Sequence, residues 1–160
     1  MVCPPVTRAA PGTLELRPAP IPPDWILEGR PDARVASISR SASGAMWTDL
    51  WDCTAGRFEW RYEVDETITI VEGGAIVTDA NGTVWPLKPG DVASFRAGTR
   101  AHWHVPTYVR KIAVCAHPMP NLVMAVGDFA KRLRRRARSV AAAAGTATAF
   151  ALGAAMLVIE

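Results

Sequence analysis

From about Val35 to His117, apolar and polar residues alternate with a period of two, the signature of strands that bury one face. Trp47, Asp49, Trp51 and Cys53 share one side of such a strand, and Thr48, Leu50 and Asp52 the other. After Gly56, the series Phe58, Trp60, Tyr62 and Val64 takes every second position. Ile68 and Ile70 then oppose Thr67, Thr69 and Val71, and Ala75 and Val77 oppose Ile76. Shorter runs follow at 83–85, 92–95, 101–105 and 111–115. Asn81-Gly82 predicts a tight hairpin with positive φ angles, and Pro89-Gly90-Asp91 a turn. Short strands at near-regular spacing, punctuated in this way, predict an all-β antiparallel sandwich or barrel. No repeat of 20–50 residues is present.

The flanks have a different character. Eight of the thirteen prolines fall within the first 31 residues, so 1–34 is predicted to be an extended arm on the surface, pinned at Trp25-Ile26-Leu27. Beyond it and the barrel, 118–139 reads as a basic helix and 140–159 as twenty consecutive uncharged residues. At 1.5 Å per residue that second segment matches the roughly 30 Å of a bilayer's hydrocarbon core. It predicts a single transmembrane helix, with lipid met along 131–159. Six basic residues stand just before the span and only Glu160 follows, so the positive-inside rule puts the β-domain in the cytoplasm. Ala141, Gly145, Ala149 and Gly153 recur every four residues, a ridge of small side chains suited to helix self-association. The competing reading is a soluble alanine-rich helix, but two threonines in twenty positions make a poor polar face.

Composition narrows the function. At 160 residues and 17.2 kDa, with 49% apolar and 21% charged residues, the chain holds one domain plus appendages and is not wholly disordered. The net charge of +3 hides an asymmetry, since six basic residues lie between Lys131 and Arg138. Outside that run and Glu160, 12 basic residues face 14 acidic ones. A mildly acidic body, and an arginine run without base-reading neighbours, argue against a nucleic-acid partner. Cys3, Cys53 and Cys115 have no CxxC spacing and are expected as reduced thiols. Met1-Val2-Cys3-Pro4-Pro5 starts no apolar leader, so a cleaved secretory signal is not expected.

Two blocks carry a family likeness. One runs Gly56-Arg57-Phe58-Glu59-Trp60-Arg61-Tyr62-Glu63-Val64-Asp65-Glu66-Thr67 and on through Ile70-Val71-Glu72-Gly73. The other comprises Lys88-Pro89-Gly90-Asp91, Phe95-Arg96-Ala97-Gly98, Trp103-His104-Val105 and Arg110-Lys111. Spanning about half the chain, they resemble the cupin superfamily. In particular they resemble the small single-domain cupins grouped with the (S)-ureidoglycine aminohydrolase cupin domain and the ethanolamine-utilisation accessory cupin. The resemblance implies a single jelly-roll β-barrel over 35–117 and a homodimer. It also implies where a metal set would stand. Glu66 and Gly73 keep the first motif's spacing, which puts its two histidine positions at Trp60 and Tyr62. Gly90 and Gly98 fit the second motif, while Arg96 replaces its proline and Ala101 its histidine. With Glu66 alone surviving, no metal or other cofactor is expected. The metal-assisted release of ammonia from a ureido compound, which the aminohydrolase likeness implies, lacks its metal set.

Glu66, His102 and His104 form the fallback metal set, yet alternation turns both histidines outward if Ala101, Trp103 and Val105 point in. His117, beside Pro118, reads as a loop residue. The interior is then set by Trp60, Tyr62, Glu66, Trp103 and Trp51, a pocket for a small cationic or amide-bearing molecule, unless the rings are simply core. An inward carboxylate needs a partner, and Arg61, Arg110 and Lys111 are the candidates for Glu66. Three functions compete. The first is a metal-free small-molecule-binding cupin at the membrane, and the second an enzyme using Glu66 and Tyr62 as acid and base on a small nitrogenous metabolite. The third is a protein-interaction scaffold.

Overall fold

The computed structural model describes residues 6–118; Cys3, the basic helix expected over 118–139 beyond its first residue, and the expected membrane span lie outside the described residues. Among the described residues no helix is long and apolar enough to cross a membrane. The period-two segments form strands β1 (Arg17–Pro18), β2 (Ile26–Gly29), β3 (Ala33–Arg40), β4 (Met46–Arg61) and β5 (Asp65–Gly73). These are followed by β6 (Ala75–Asp79), β7 (Val84–Leu87), β8 (Val92–Phe95) and β9 (Arg100–Ala116). All pairings are antiparallel, as the sequence predicts for an all-β jelly roll.

Four segments that alternation alone divides become two long strands. β4 and β9 pair along nearly their whole length and belong to both halves of the barrel. The first half of β4 and the second half of β9 pair with β3 and β5, and β5 continues to β8. The other halves pair with β2 and β6, and β6 continues to β7. Between Thr54 and Gly56 the β4–β9 register shifts by one residue. The core-facing set of β4 accordingly passes from Trp51 and Cys53 to Phe58, and Tyr62 just beyond its end keeps the even series. An irregularity of this kind bends a strand and flips its parity, so one strand can line both walls.

Two local features differ from the sequence expectation. The β6–β7 hairpin is not closed by two residues of positive φ, because only Gly82 (φ +81°) is left-handed. Asp79 closes it instead, its carboxylate accepting from the amides of Asn81 and Thr83. The proline-rich arm joins the ladder despite its prolines, β1 on β3 and β2 on β4. It also buries Ile21 in the core and sets Trp25 edge-on to Trp60 at 5.5 Å. Gly73, at φ +66°, turns β5 into β6 against the backbone of Tyr108, where a side chain would collide.

Across the outer face of one half runs a row of alternating charge: Arg34, Asp52, Arg110 and Glu72, on β3, β4, β9 and β5. Asp52 is fully buried and takes both prongs of Arg34 at 3.0 and 2.7 Å, plus the Tyr108 hydroxyl at 2.8 Å. Burial, the largest influence, pushes its carboxyl up, but the Arg34, Tyr108 and Arg110 contacts together hold it below the usual value. A depressed folded-state pKa stabilises the protein above the unfolded value and stops doing so as pH falls through the folded one. Asp52→Asn should therefore cost about 1–3 kcal/mol in urea unfolding at pH 7. The gap from wild type should close as pH drops below the ordinary aspartate range; a gap constant down to acid pH would contradict the ladder's role.

Candidate functional site

The inward faces of β4, β5 and β9 bring a carboxylate and an ammonium into the same closed space. Glu66 is opposite Cys115 and Phe95, while Lys111 is opposite Trp51 and Ile70. Between these rows β9 supplies only Ala113, so the two long side chains meet above a methyl group. Lys111 Nζ donates to Glu66 Oε1, and the residues are 4% and 7% exposed. Of the three partners the sequence offers Glu66, Lys111 takes the position. Arg61 turns instead to Glu59 and Asp24, and Arg110 to Asp52 and Glu72.

Three indoles enclose the ammonium. Its nitrogen lies 4.9 Å from the ring centre of Trp51, 5.2 Å from Trp103 and 5.8 Å from Trp60. Contacts of this kind are worth about 1–2 kcal/mol each when desolvated, which offsets much of the several kcal/mol needed to bring the ammonium in from water. The rings hold one another: Trp51 is edge-on to Trp60, and Trp103 stacks on Phe58 at 8° between planes. Trp103 Nε1 donates to Tyr62 Oη at 3.0 Å, and the Tyr62 ring stacks on Phe95 at 4.4 Å. Burial first, and then the charge of Glu66, push the Tyr62 phenol up, so it stays protonated at neutral pH.

Trp51, Trp60, Tyr62, Glu66 and Trp103 thus converge on one place. His102 and His104 do not. They pair with Glu59 and Arg57 on the opposite side of the β4–β9 ladder, and His102 Nε2 lies 3.4 Å from Glu59. Ala101, Trp103 and Val105, between and beside them, are the buried residues. His117 packs against Trp47 at 5.1 Å. Glu66, His102 and His104 therefore do not assemble as ligands. No group of three or more His, Cys, Asp or Glu side chains able to hold a metal exists among the described residues. Trp60 and Ala101 offer no donor, the Tyr62 phenol is protonated, and Glu66 is already matched by Lys111. A divalent ion does not fit this donor set.

One interior residue escapes the sequence-based site. Asp49 is opposite Ala113 and thus on the Lys111 side of the ladder, half-buried, with its carboxyl pushed up chiefly by burial. Its place in the series Trp47, Asp49, Trp51, Cys53 was the signal for it. Cys53 and Cys115, also inside, are free thiols pushed up to about 12 mainly by burial.

A cleft of about 350 Å³ lies where β7 and β8 leave the barrel wall unpaired with one another. Val77, Trp85, Leu87, Val92 and Ala93 line it, together with Phe95, the same ring that stacks on Tyr62. Trp85 and Val92 at its rim are more than half exposed.

An antiparallel jelly roll with this interior is a small cupin. The model of the EutQ-like cupin domain matches residues 40–113, and this part of the chain is a small cupin domain. A DUF861-family protein of unknown function from Pseudomonas syringae is similar in fold, with TM-score 0.60 and 21% identity over 65% of this chain. This chain spans only 45% of that protein's length. A predicted oxalate decarboxylase from Thermotoga maritima shares the fold at TM-score 0.54 and 15% identity, over 71% of this chain and 99% of its own. A DUF861-family protein from Thermotoga maritima is 34% identical over 40% of this chain and 73% of its own, with TM-score 0.38. No curated protein matches the sequence.

Removing one member of a buried ion pair leaves the other uncompensated. Lys111→Met should cost about 3–5 kcal/mol in urea unfolding. The double variant Lys111→Met/Glu66→Met should recover most of that loss, and non-recovery would show that the pair does not act as a unit.

Proposed function

We propose that this chain is a metal-independent cupin that binds a small organic molecule in the cleft between β7 and β8, with its reactive or polar end toward the barrel interior. The reading is carried by Phe95, which is at once a wall of the cleft and a member of the ring cluster around Lys111 and Glu66. A cleft of about 350 Å³ suits a metabolite-sized ligand, and its apolar lining with few polar groups is what such sites present. The half-exposed Trp85 and Val92 supply a rim that would be covered on binding. Binding is favoured over acid–base catalysis by Glu66 and Tyr62, because Glu66 is neutralised by Lys111 and the phenol is held protonated.

Small amines, amides, ureido compounds and carboxylates can be screened by thermal shift and intrinsic tryptophan emission. A ligand should raise Tm and change the emission. Ala93→Trp, which fills the cleft and leaves Glu66 and Lys111 untouched, should abolish both responses with the circular dichroism of the barrel unchanged. Persistence of the responses in that variant would place the ligand elsewhere and overturn the reading.

The proposal also places the domain on the cytoplasmic face of a membrane, held by the basic run and the apolar segment 140–159. After an alkaline carbonate wash of host membranes the full chain should stay in the pellet, and a version ending at residue 139 should leave it. Release of the full chain would mean attachment by charge alone.

A further inference from the structure

An ammonium boxed by three indoles with a carboxylate at one side is the chemistry that recognises an alkylammonium ion. Here the ion belongs to the chain itself. We propose that Lys111 is the resident cation of this barrel. Its ammonium occupies the centre that Glu66 would otherwise offer to a metal, and the space it fills is a binding site for small primary ammonium ions when the side chain is cut back. The inference concerns the barrel interior rather than the β7–β8 cleft and needs no natural ligand, so it and the function proposed above can fail separately.

Three observations meet in it. Among the described residues the charged partner of the Glu66 carboxylate is the Lys111 ammonium, both closed to solvent. The ammonium faces Trp51 from the first half of β4, Trp60 from its second half and Trp103 from β9, so the box is assembled from both halves of the barrel. The β9 row between Lys111 and Cys115 is Ala113, small enough for an extended lysine chain to pass. The side chain beyond Cβ therefore lies in a channel with an apolar wall and a single charged end. That is the shape and polarity of n-propylammonium, which equals the atoms that Lys111→Ala removes. A divalent ion would need several oxygen or nitrogen donors at this centre, and besides Glu66 its surroundings present indole rings, the protonated Tyr62 phenol and the Ala113 methyl group.

The test uses the full chain. Lys111→Ala should melt below wild type. Adding n-propylammonium at tens of millimolar should raise its Tm by about 3–6 °C and shift its tryptophan emission. Wild type should not respond, and n-propanol should reproduce neither effect. Equal rescue by the alcohol, or no rescue by the amine, overturns the proposal. Mn²⁺, Ni²⁺ and Zn²⁺ should leave the wild-type Tm unchanged, and stoichiometric metal on wild type overturns it as well. Should Lys111→Ala fail to fold, native wild type decides. The Lys111 ε-methylene protons should resonate well upfield from ring currents, and acetylation should modify exposed Lys88 while sparing Lys111 until the protein is denatured. An unshifted Lys111, or one acetylated as fast as Lys88, overturns the proposal.

Discussion

An ammonium and a carboxylate removed from water each lose several kcal/mol of hydration, and their attraction alone does not always offset it. In this barrel the deficit at Lys111 is met by the π-faces of Trp51, Trp60 and Trp103. Those rings are in turn fixed by edge contacts among themselves and by the Trp103–Tyr62 hydrogen bond. Because each indole serves both as core and as counter-surface for charge, the interior cannot be repacked piecemeal. The polar pair is what makes this aromatic core specific rather than merely apolar.

That arrangement depends on the backbone. Trp51 and Trp60 stand on one strand, and without the register shift after Thr54 their side chains would leave β4 on opposite faces. The shift lets β4 carry the inward series Trp51, Cys53 into one half and Phe58, Trp60, Tyr62 into the other. β9 does the complementary work, bringing Trp103 from one half and Lys111 from the other. The residues around the ammonium are thus gathered from both walls by two bent strands rather than by loops. A site built on paired strands is held more rigidly than one on connecting segments.

A filled centre changes what such a cupin can do. The Glu66 carboxylate is already matched by Lys111, so the recognition site proposed above lies instead in the cleft where β7 and β8 stay unpaired, whose wall residue Phe95 stacks on Tyr62. The outer face has its own electrostatic system, the Arg34–Asp52–Arg110–Glu72 row, which ties four strands together and leaves Arg110 unavailable to Glu66. Two ion systems on opposite faces of the same sheet therefore sort the neighbouring residues Arg110 and Lys111 between them. Alternation along one strand is enough to do this.

The all-β fold, the inward series of β5 and β6, and the outward turn of His102 and His104 were legible in the sequence, because side chains along a strand alternate whatever the strand pairs with. That Trp60, Tyr62 and Ala101 stand where the cupin motifs carry imidazoles is what the family resemblance implies. Pattern alone could not join Met46–Arg61 into one strand, since a register shift erases the alternation where it occurs. Nor could it give the arm its two short strands, which exist because β3 and β4 offer them free edges. The choice of Lys111 over Arg61 and Arg110 as the partner of Glu66, and the inclusion of Asp49, were likewise decided only in three dimensions. Periodicity fixes which face a residue takes, whereas who meets whom across the barrel depends on pairing register and on the second wall, and neither is local in the chain.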